Sequence, residues 1–357
     1  FPRRSDSNGE DMADKAQDSK TSTSSASSEA TQAEGASWVP KDETLANELL
    51  EGNGPKGVPT GDPIMSVRNL KVSFNTEAGR VDAVRSVNFD LWRGRTLGIV
   101  GESGSGKSVT ALSLIGLLDD NAHVTGSVKF AGEELIGKTD EEMANFRGKS
   151  ISMVFQDPLS ALTPMFSIEA LLIHNPTMGK SEVRERCVEL LRTVGITKPE
   201  ERLDAYPHEF SGGMRQRVVI AIAIANDPDV IIADEPTTAL DVTIQAQILS
   251  LLDELRKEFQ SSIILITHDM GVVASICQRI AILYGGLIME SGSAEDIFYH
   301  ARHPYTKALL RAVPGGDIEE GKRLLAIEGS PPSLMELPKG CPFAPRCERA
   351  KERCFRE

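Results

Sequence analysis

Residues 96–118 read TLGIV GESGSGKS VTALSLIGLL, and the order of their parts decides the fold. Thr96–Val100 is a compact apolar strand, Val109–Leu118 has the pattern of a helix, and the glycine-rich segment Gly101–Ser108 joins them. Strand, loop and helix in that order are the setting of a phosphate-binding P-loop. Glycines at 101, 104 and 106 let the backbone curl so that its N–H groups point inward, and the helix start adds partial positive charge at the same place. The expected cradle runs through Gly101, Glu102, Ser103, Gly104, Ser105, Gly106, Lys107, Ser108 and Val109. Lys107 is suited to neutralise β/γ-phosphates and Ser108 to ligate Mg²⁺.

A second apolar strand, VIIADE at 230–235, ends in two adjacent carboxylates. Charge there is costly without a partner, and Mg²⁺ is the natural one. Asp234 fits the metal-holding position, while Glu235, one residue further out, suits orienting or deprotonating a water. The other reading is an acidic pair that merely caps the next turn.

Other short apolar runs alternate with helical patterns, which indicates an α/β architecture. Ile64–Phe74, Val81–Leu91 and Val124–Phe130 are β-rich and imply an antiparallel sheet around a more central layer. Ile151–Phe155, Val230–Ala233 and Ile263–Ile266 join Thr96–Val100 as buried strands of a largely parallel sheet, and Ser181–Val194 and Gln245–Phe259 have helical spacing. The expected organisation is an acidic, disordered tail at 1–62, a nucleotide-binding domain at 63–300 with a helical subdomain near 157–225, and a C-terminal extension at 301–357. The tail holds 12 acidic and 6 basic residues, and its Asp42–Glu51 stretch has the spacing of a short docking helix.

Composition excludes several functions. A net charge of −13 gives no counterion release on phosphates and argues against a nucleic-acid partner. The longest apolar run, Val218–Ala225, is far short of the roughly 20 residues that cross a bilayer. Five cysteines in a long acidic chain do not read as a secreted disulfide framework.

FSGGMRQR at 210–217 precedes the helical run VVIAIAIAN, and its Ser211, Gly212 and Gly213 make another slender helix N-terminus able to approach an anion. Together with Gln156 of MVFQDP, TALD at 238–241 and His268 of LITHD, in that order, the chain resembles the ATP-binding cassette (ABC) family over about residues 64–357. The resemblance implies a P-loop ABC nucleotide-binding domain: a RecA-like core, an antiparallel β subdomain and a helical signature subdomain. It implies ATP and Mg²⁺ as ligands, with Glu235, His268, Gln156 and Lys107 catalytic and Ser108, Gln156 and Asp234 around the metal. It also implies a head-to-tail dimer in which Ser211–Gly213 close over ATP in the partner, and Asp241 lies at the seam. Met214 and Phe210 depart from the commonest family residues, glutamine and leucine. Read without the family, Asp241 is a helix N-cap, Phe74 is either an adenine-stacking aromatic or a core strand residue, Gln156 is a polar loop residue and His268 is a structural strand-end histidine.

HPYTKALLRAVP at 303–314, EGSPPSL and GCPFAPRC resemble the C-terminal segment of the oligopeptide, dipeptide and nickel branch of bacterial ABC importers. That branch implies an ATPase on the cytoplasmic face of the membrane, a second and paralogous cassette, two permeases and an extracytoplasmic peptide-binding protein. The permease coupling helices would dock near Asp157–Thr177. Nickel import and a regulatory subunit with little turnover are the alternatives. Cys341, Cys347 and Cys354 are separated by five and six residues. Some dipeptide-type members bind a four-iron, four-sulfur cluster in this region, so a cluster with a fourth ligand beyond Glu357 is expected; zinc and free thiols are the other readings.

Overall fold

A computed structural model describes residues 53–54, 58–59, 61–77, 79–173, 178–313, 327–335 and 337–356. Most of the expected tail, with its Asp42–Glu51 helix, lies outside the described residues. Asn53–Gly54 and Val58–Pro59 form a small antiparallel pair.

The main sheet begins with the hairpin β1 (Met65–Thr76) and β2 (Gly79–Leu91), followed by β3 (Thr96–Val100) and α1 (Lys107–Leu114). Next come β4 (Ala122–Phe130), β5 (Glu133–Glu134), β6 (Ile151–Val154), α2 (Lys180–Thr193) and α3 (Gly212–Ile224). Then follow β7 (Val230–Asp234), α4 (Val242–Phe259), β8 (Ser262–Thr267), α5 (Met270–Ile276) and the antiparallel pair β9 (Arg279–Tyr284) and β10 (Leu287–Ser293). Helices α6 (Ala294–His300) and α7 (Pro304–Arg311) lead into the C-terminal extension.

Among the described residues the strands make one ten-stranded sheet, ordered β5-β4-β1-β2-β10-β9-β3-β8-β7-β6. The neighbours from β9 to β6 are parallel, whereas β5, β4, β1 and β2 pair antiparallel. The expected antiparallel layer is thus continuous with the parallel one, edge to edge, through the Leu287–Ser86 pair of β10 and β2.

Parallel strands are covered on both faces and so read as unbroken apolar runs. TLGIV, VIIAD and SIILIT are buried at every position. Successive side chains feed opposite cores: Ile231, Ala233, Ile263 and Leu265 face the core built with α2, α3 and α4, while Val230, Ile232, Ile264 and Ile266 face α1 and the antiparallel strands. Helix α4 presents Ile248, Leu252 and Leu255 inward, is capped by Asp241 and carries Arg256 and Lys257 in its last turn, where they favour the helix dipole.

The extension docks on this framework through aromatic side chains. His303 caps α7 by accepting the Tyr305 N–H at 3.1 Å, and Pro304 occupies the first helical position, where its missing N–H costs nothing. Tyr305 is thereby sent into the core, its ring 4.5 Å from that of Tyr284 at the end of β9 and 5.2 Å from that of Phe343.

Gly98, at the middle of β3, has no room for a larger residue. A Cβ there would sit 2.6 Å from Val273 Cγ1 and 3.0 Å from Cys277 Sγ on the α5 side. Replacing Gly98 by Ala is expected to cost about 1–3 kcal/mol through overpacking, read as a lower urea midpoint with an unchanged m-value.

Candidate functional site

The loop between β3 and α1 owes its path to close backbone contacts. A Cβ on Gly101 would lie 2.1 Å from the Leu283 carbonyl oxygen of β9, and one on Gly106, whose φ is +101°, would lie 2.5 Å from the Ala83 carbonyl oxygen. Only glycine fits either position. The loop is pinned from below by these carbonyls, and its amides rim a cleft of about 610 Å³. Gly101–Gly104, Gly106–Val109, Gln156, Glu235, His268 and Leu309 line the cleft.

Lys107 is 5% exposed, and its Nζ donates to the carbonyls of Gly101 at 2.9 Å and Glu102 at 3.1 Å. Burial lowers its pKa, and the carboxylates of Glu235 and Asp234 oppose that shift. Its ammonium lies 3.8 Å from Glu235 Oε1.

Glu235 follows β7 with φ +44°, a left-handed conformation that costs a non-glycine residue on the order of 1 kcal/mol. The bend is held by its N–H donating to the Ile266 carbonyl at 2.9 Å. Its carboxylate thereby faces the cleft, where Oε2 accepts from Gln156 Nε2 at 3.1 Å and Thr238 Oγ1 at 2.9 Å, and Oε1 lies 3.4 Å from His268 Nδ1. One carboxylate therefore links three elements. Thr238 was not singled out from the sequence; its position three residues after Glu235, at the close of a turn, is the signal that finds it.

Asp234 is 4% exposed, and its Oδ1 has no hydrogen-bond partner. Burial raises its pKa; the Ser108 hydroxyl and Lys107 pull in the opposite direction, while Glu235 adds to the rise. A desolvated carboxylate oxygen beside the Ser108 hydroxyl, with the Gln156 amide on the cleft wall, is an all-oxygen donor set suited to a hard divalent cation, and it fits Mg²⁺.

Other expected residues lie apart from this cleft. Ser211 caps α3 by accepting the Met214 N–H at 3.4 Å; Ser211 and Gly212 are exposed, and neither they nor Gly213 line it. A Cβ on Gly213 would meet Ile244 Cγ2 at 2.8 Å, so the start of α3 rests directly on α4. Asp241 is exposed and caps α4, accepting the Ile244 N–H at 3.0 Å. Phe74 is half-buried on β1, packed against the core between α1 and the antiparallel strands, and does not line the cleft.

The expected iron–sulfur cluster finds no support. Cys341, Cys347 and Cys354 are free thiols, and among the described residues no group of three or more His, Cys, Asp and Glu is disposed to hold a metal. Cys341 and Cys347 are engaged in packing against the apolar core, and the Cys341 N–H donates to the Cys354 carbonyl at 2.9 Å.

The sheet, the pinned loop and the carboxylates beyond β7 define a nucleotide-binding cassette, and comparison with known proteins agrees. Residues 84–238 match the ABC transporter family and residues 289–354 match the oligopeptide/dipeptide transporter C-terminal region. The chain is 50% identical over 298 residues to the oligopeptide transport ATP-binding protein OppD of Escherichia coli, spanning 82% of this chain and 88% of that one. It is 52% identical over 302 residues to the dipeptide transport ATP-binding protein DppD of Bacillus subtilis, spanning 83% and 90%. The OppD of Mycobacterium tuberculosis is 50% identical over 82% of this chain, which spans about half, 49%, of its length. Among solved structures it is similar to a dimeric post-hydrolysis state of the ATP-binding cassette MJ0796 bound to ADP and Pi, with 30% identity, a TM-score of 0.57, and coverage of 64% of this chain and 98% of that one. This chain belongs to the oligopeptide/dipeptide branch of the ABC transporter ATP-binding proteins. No helix among its described residues is long and apolar enough to cross a membrane.

The unpartnered Asp234 oxygen gives a test of the metal site. Its carboxyl pKa is raised on folding, so the nucleotide-free protein loses stability as pH rises from the unfolded toward the folded value. Above that pH window, in EDTA, Asp234→Asn is expected to be more stable than the native chain by about 1 kcal/mol or more, read from the urea midpoint, while losing Mg²⁺-dependent ATP hydrolysis.

Proposed function

We propose that this chain is the ATP-hydrolysing subunit of a peptide importer, acting at the cytoplasmic face of the membrane with a paralogous second cassette, two permeases and an extracytoplasmic peptide-binding protein. The observation that carries the reading is the convergence of Lys107, Gln156, Glu235 and His268 on the cleft rimmed by the glycine-rich loop, in a chain half identical to oligopeptide and dipeptide transport ATP-binding proteins.

In this reading the amides of the Gly101–Val109 loop that face the cleft hold the triphosphate, and Lys107 neutralises its β- and γ-oxygens. Ser108, Asp234 and Gln156 would hold Mg²⁺, which draws charge from the β- and γ-oxygens when bound. Glu235 takes a proton from a water as it attacks the γ-phosphorus in line, the bond from that phosphorus to the bridging oxygen breaks, and ADP leaves. His268, beside Glu235, contacts the γ-phosphate, and its link to Glu235 makes the carboxylate sensitive to the phosphate's presence. Phe74 stacks on adenine.

The exposure of Ser211 and Gly212, away from the chain's own cleft, supports a role on a partner's nucleotide in a head-to-tail dimer, with Asp241 near the seam. ATP then bridges two faces, and hydrolysis removes the bridge. Leu159, Met165 and Phe166, after Gln156, are 55%, 84% and 54% exposed. Such a cluster of large apolar side chains on the surface fits a docking face for permease helices.

Two variants test this reading. Glu235→Gln, in cells whose uptake depends on this chain, is expected to abolish entry of a labelled tripeptide and to slow ATP turnover by the assembled complex about 10²–10⁴-fold; normal uptake would refute the hydrolytic role. Phe166→Glu is expected to keep ATP turnover within about twofold while uptake falls, because its side chain touches the partner and not the nucleotide. Unimpaired transport would place the docking face elsewhere.

A further inference from the structure

The C-terminal extension meets the P-loop at Glu102 through side-chain hydrogen bonds. The Glu102 carboxylate accepts from Arg346 Nη1 at 2.6 Å, and its backbone N–H donates to the Tyr305 hydroxyl at 3.1 Å. Its carbonyl accepts from Lys107 Nζ, so all three polar groups of this loop residue are engaged at once. The Arg346 side chain is 7% exposed and the Glu102 side chain 21%, which sets this pair apart from the exposed ion pairs of the surface.

Arg346 is itself held on every side. Its Nη1 also donates to the Tyr284 hydroxyl at 3.1 Å, its Nε to the Glu328 carbonyl at 2.9 Å and its Nη2 to the Ile327 carbonyl at 3.2 Å. The guanidinium carbon lies 5.8 Å from the Tyr284 ring centre and 6.0 Å from that of Phe343. A fork so braced transmits the position of the extension to the loop, as a flexible lysine would not.

Electrostatics supplies the consequence. Glu102 lines the cleft that receives a triphosphate, and a bare carboxylate there repels phosphate oxygens in a region of low dielectric. Arg346 cancels that charge from outside the cleft, since it does not line the cleft itself.

We propose that Arg346 is a positioning residue of the nucleotide site: by pairing with Glu102 it neutralises and fixes the P-loop, so that docking of the C-terminal extension sets affinity for ATP. The proposal rests on the ATP-binding reading above. By linkage, nucleotide in the cleft must also steady the extension.

A double-mutant cycle on the full-length chain tests the first half, with MgATP affinity measured by equilibrium dialysis. Arg346→Gln is expected to weaken MgATP binding about tenfold in the native background and less than about twofold in the Glu102→Gln background, because the repelling carboxylate is then gone. Equal losses in the two backgrounds, or no loss in either, overturns the proposal. Hydrogen exchange on the native chain tests the second half and needs no variant to fold. Saturating MgATP is expected to slow exchange at the Ala344, Arg346 and Cys347 amides, whose turn lies outside the cleft. Slowing confined to P-loop amides overturns the proposal and leaves ATP binding intact, whereas no slowing anywhere and no dialysis binding by the native chain removes the nucleotide reading as well.

Discussion

The structure turns on one desolvated group of charges at the C-terminal ends of its parallel strands. Lys107, Asp234 and Glu235 meet there, one ammonium against two carboxylates, with Lys107 5% and Asp234 4% exposed. Left alone, such a group is poorly balanced, as the orphan Asp234 oxygen shows. The sheet brings these groups together because β8 lies between β3 and β7 and the three strands run parallel, so that their C-terminal ends finish side by side. Ligands of open α/β sheets bind at this edge for the same reason. A divalent cation beside the orphan Asp234 oxygen supplies the positive charge that one ammonium against two carboxylates leaves short.

Much of the scaffold was legible in the sequence because its central strands are buried on both faces. Thr96–Val100 was read to the residue, and Ile263–Ile266 lengthened only by Ser262 and Thr267, both buried polar residues that periodicity does not count. The pair β9 and β10 was not read as strands. β10 is only partly buried along most of its length and carries Glu290, Ser291 and Ser293, so neither alternation nor an apolar run marks it. The joining of the two layers through one residue pair is a matter of tertiary register, which local pattern does not record.

The cleft was legible for a different reason: its loop needs particular residue types at fixed spacing, and those types are rare together. Gln156, Glu235 and His268 come from three separate segments, and the structure gathers them within hydrogen-bonding or ion-pairing reach of one carboxylate. Arg346 was not legible. It lies 244 residues from Glu102, in a segment where an arginine among prolines and cysteines has no local reason to be anything but solvated. The three cysteines drew attention instead, and among the described residues they form no group disposed to hold a metal.

The contact between Gly213 and Ile244 bears on how motion can pass through the molecule. The Ile244 side chain fills the space above Gly213, so a side chain on residue 213 would push the first turns of α3 and α4 apart. The serine-and-glycine tip and the Asp241 cap therefore sit at two helix starts that this contact joins. A displacement imposed on one of these helix starts therefore presses on the other through the same contact.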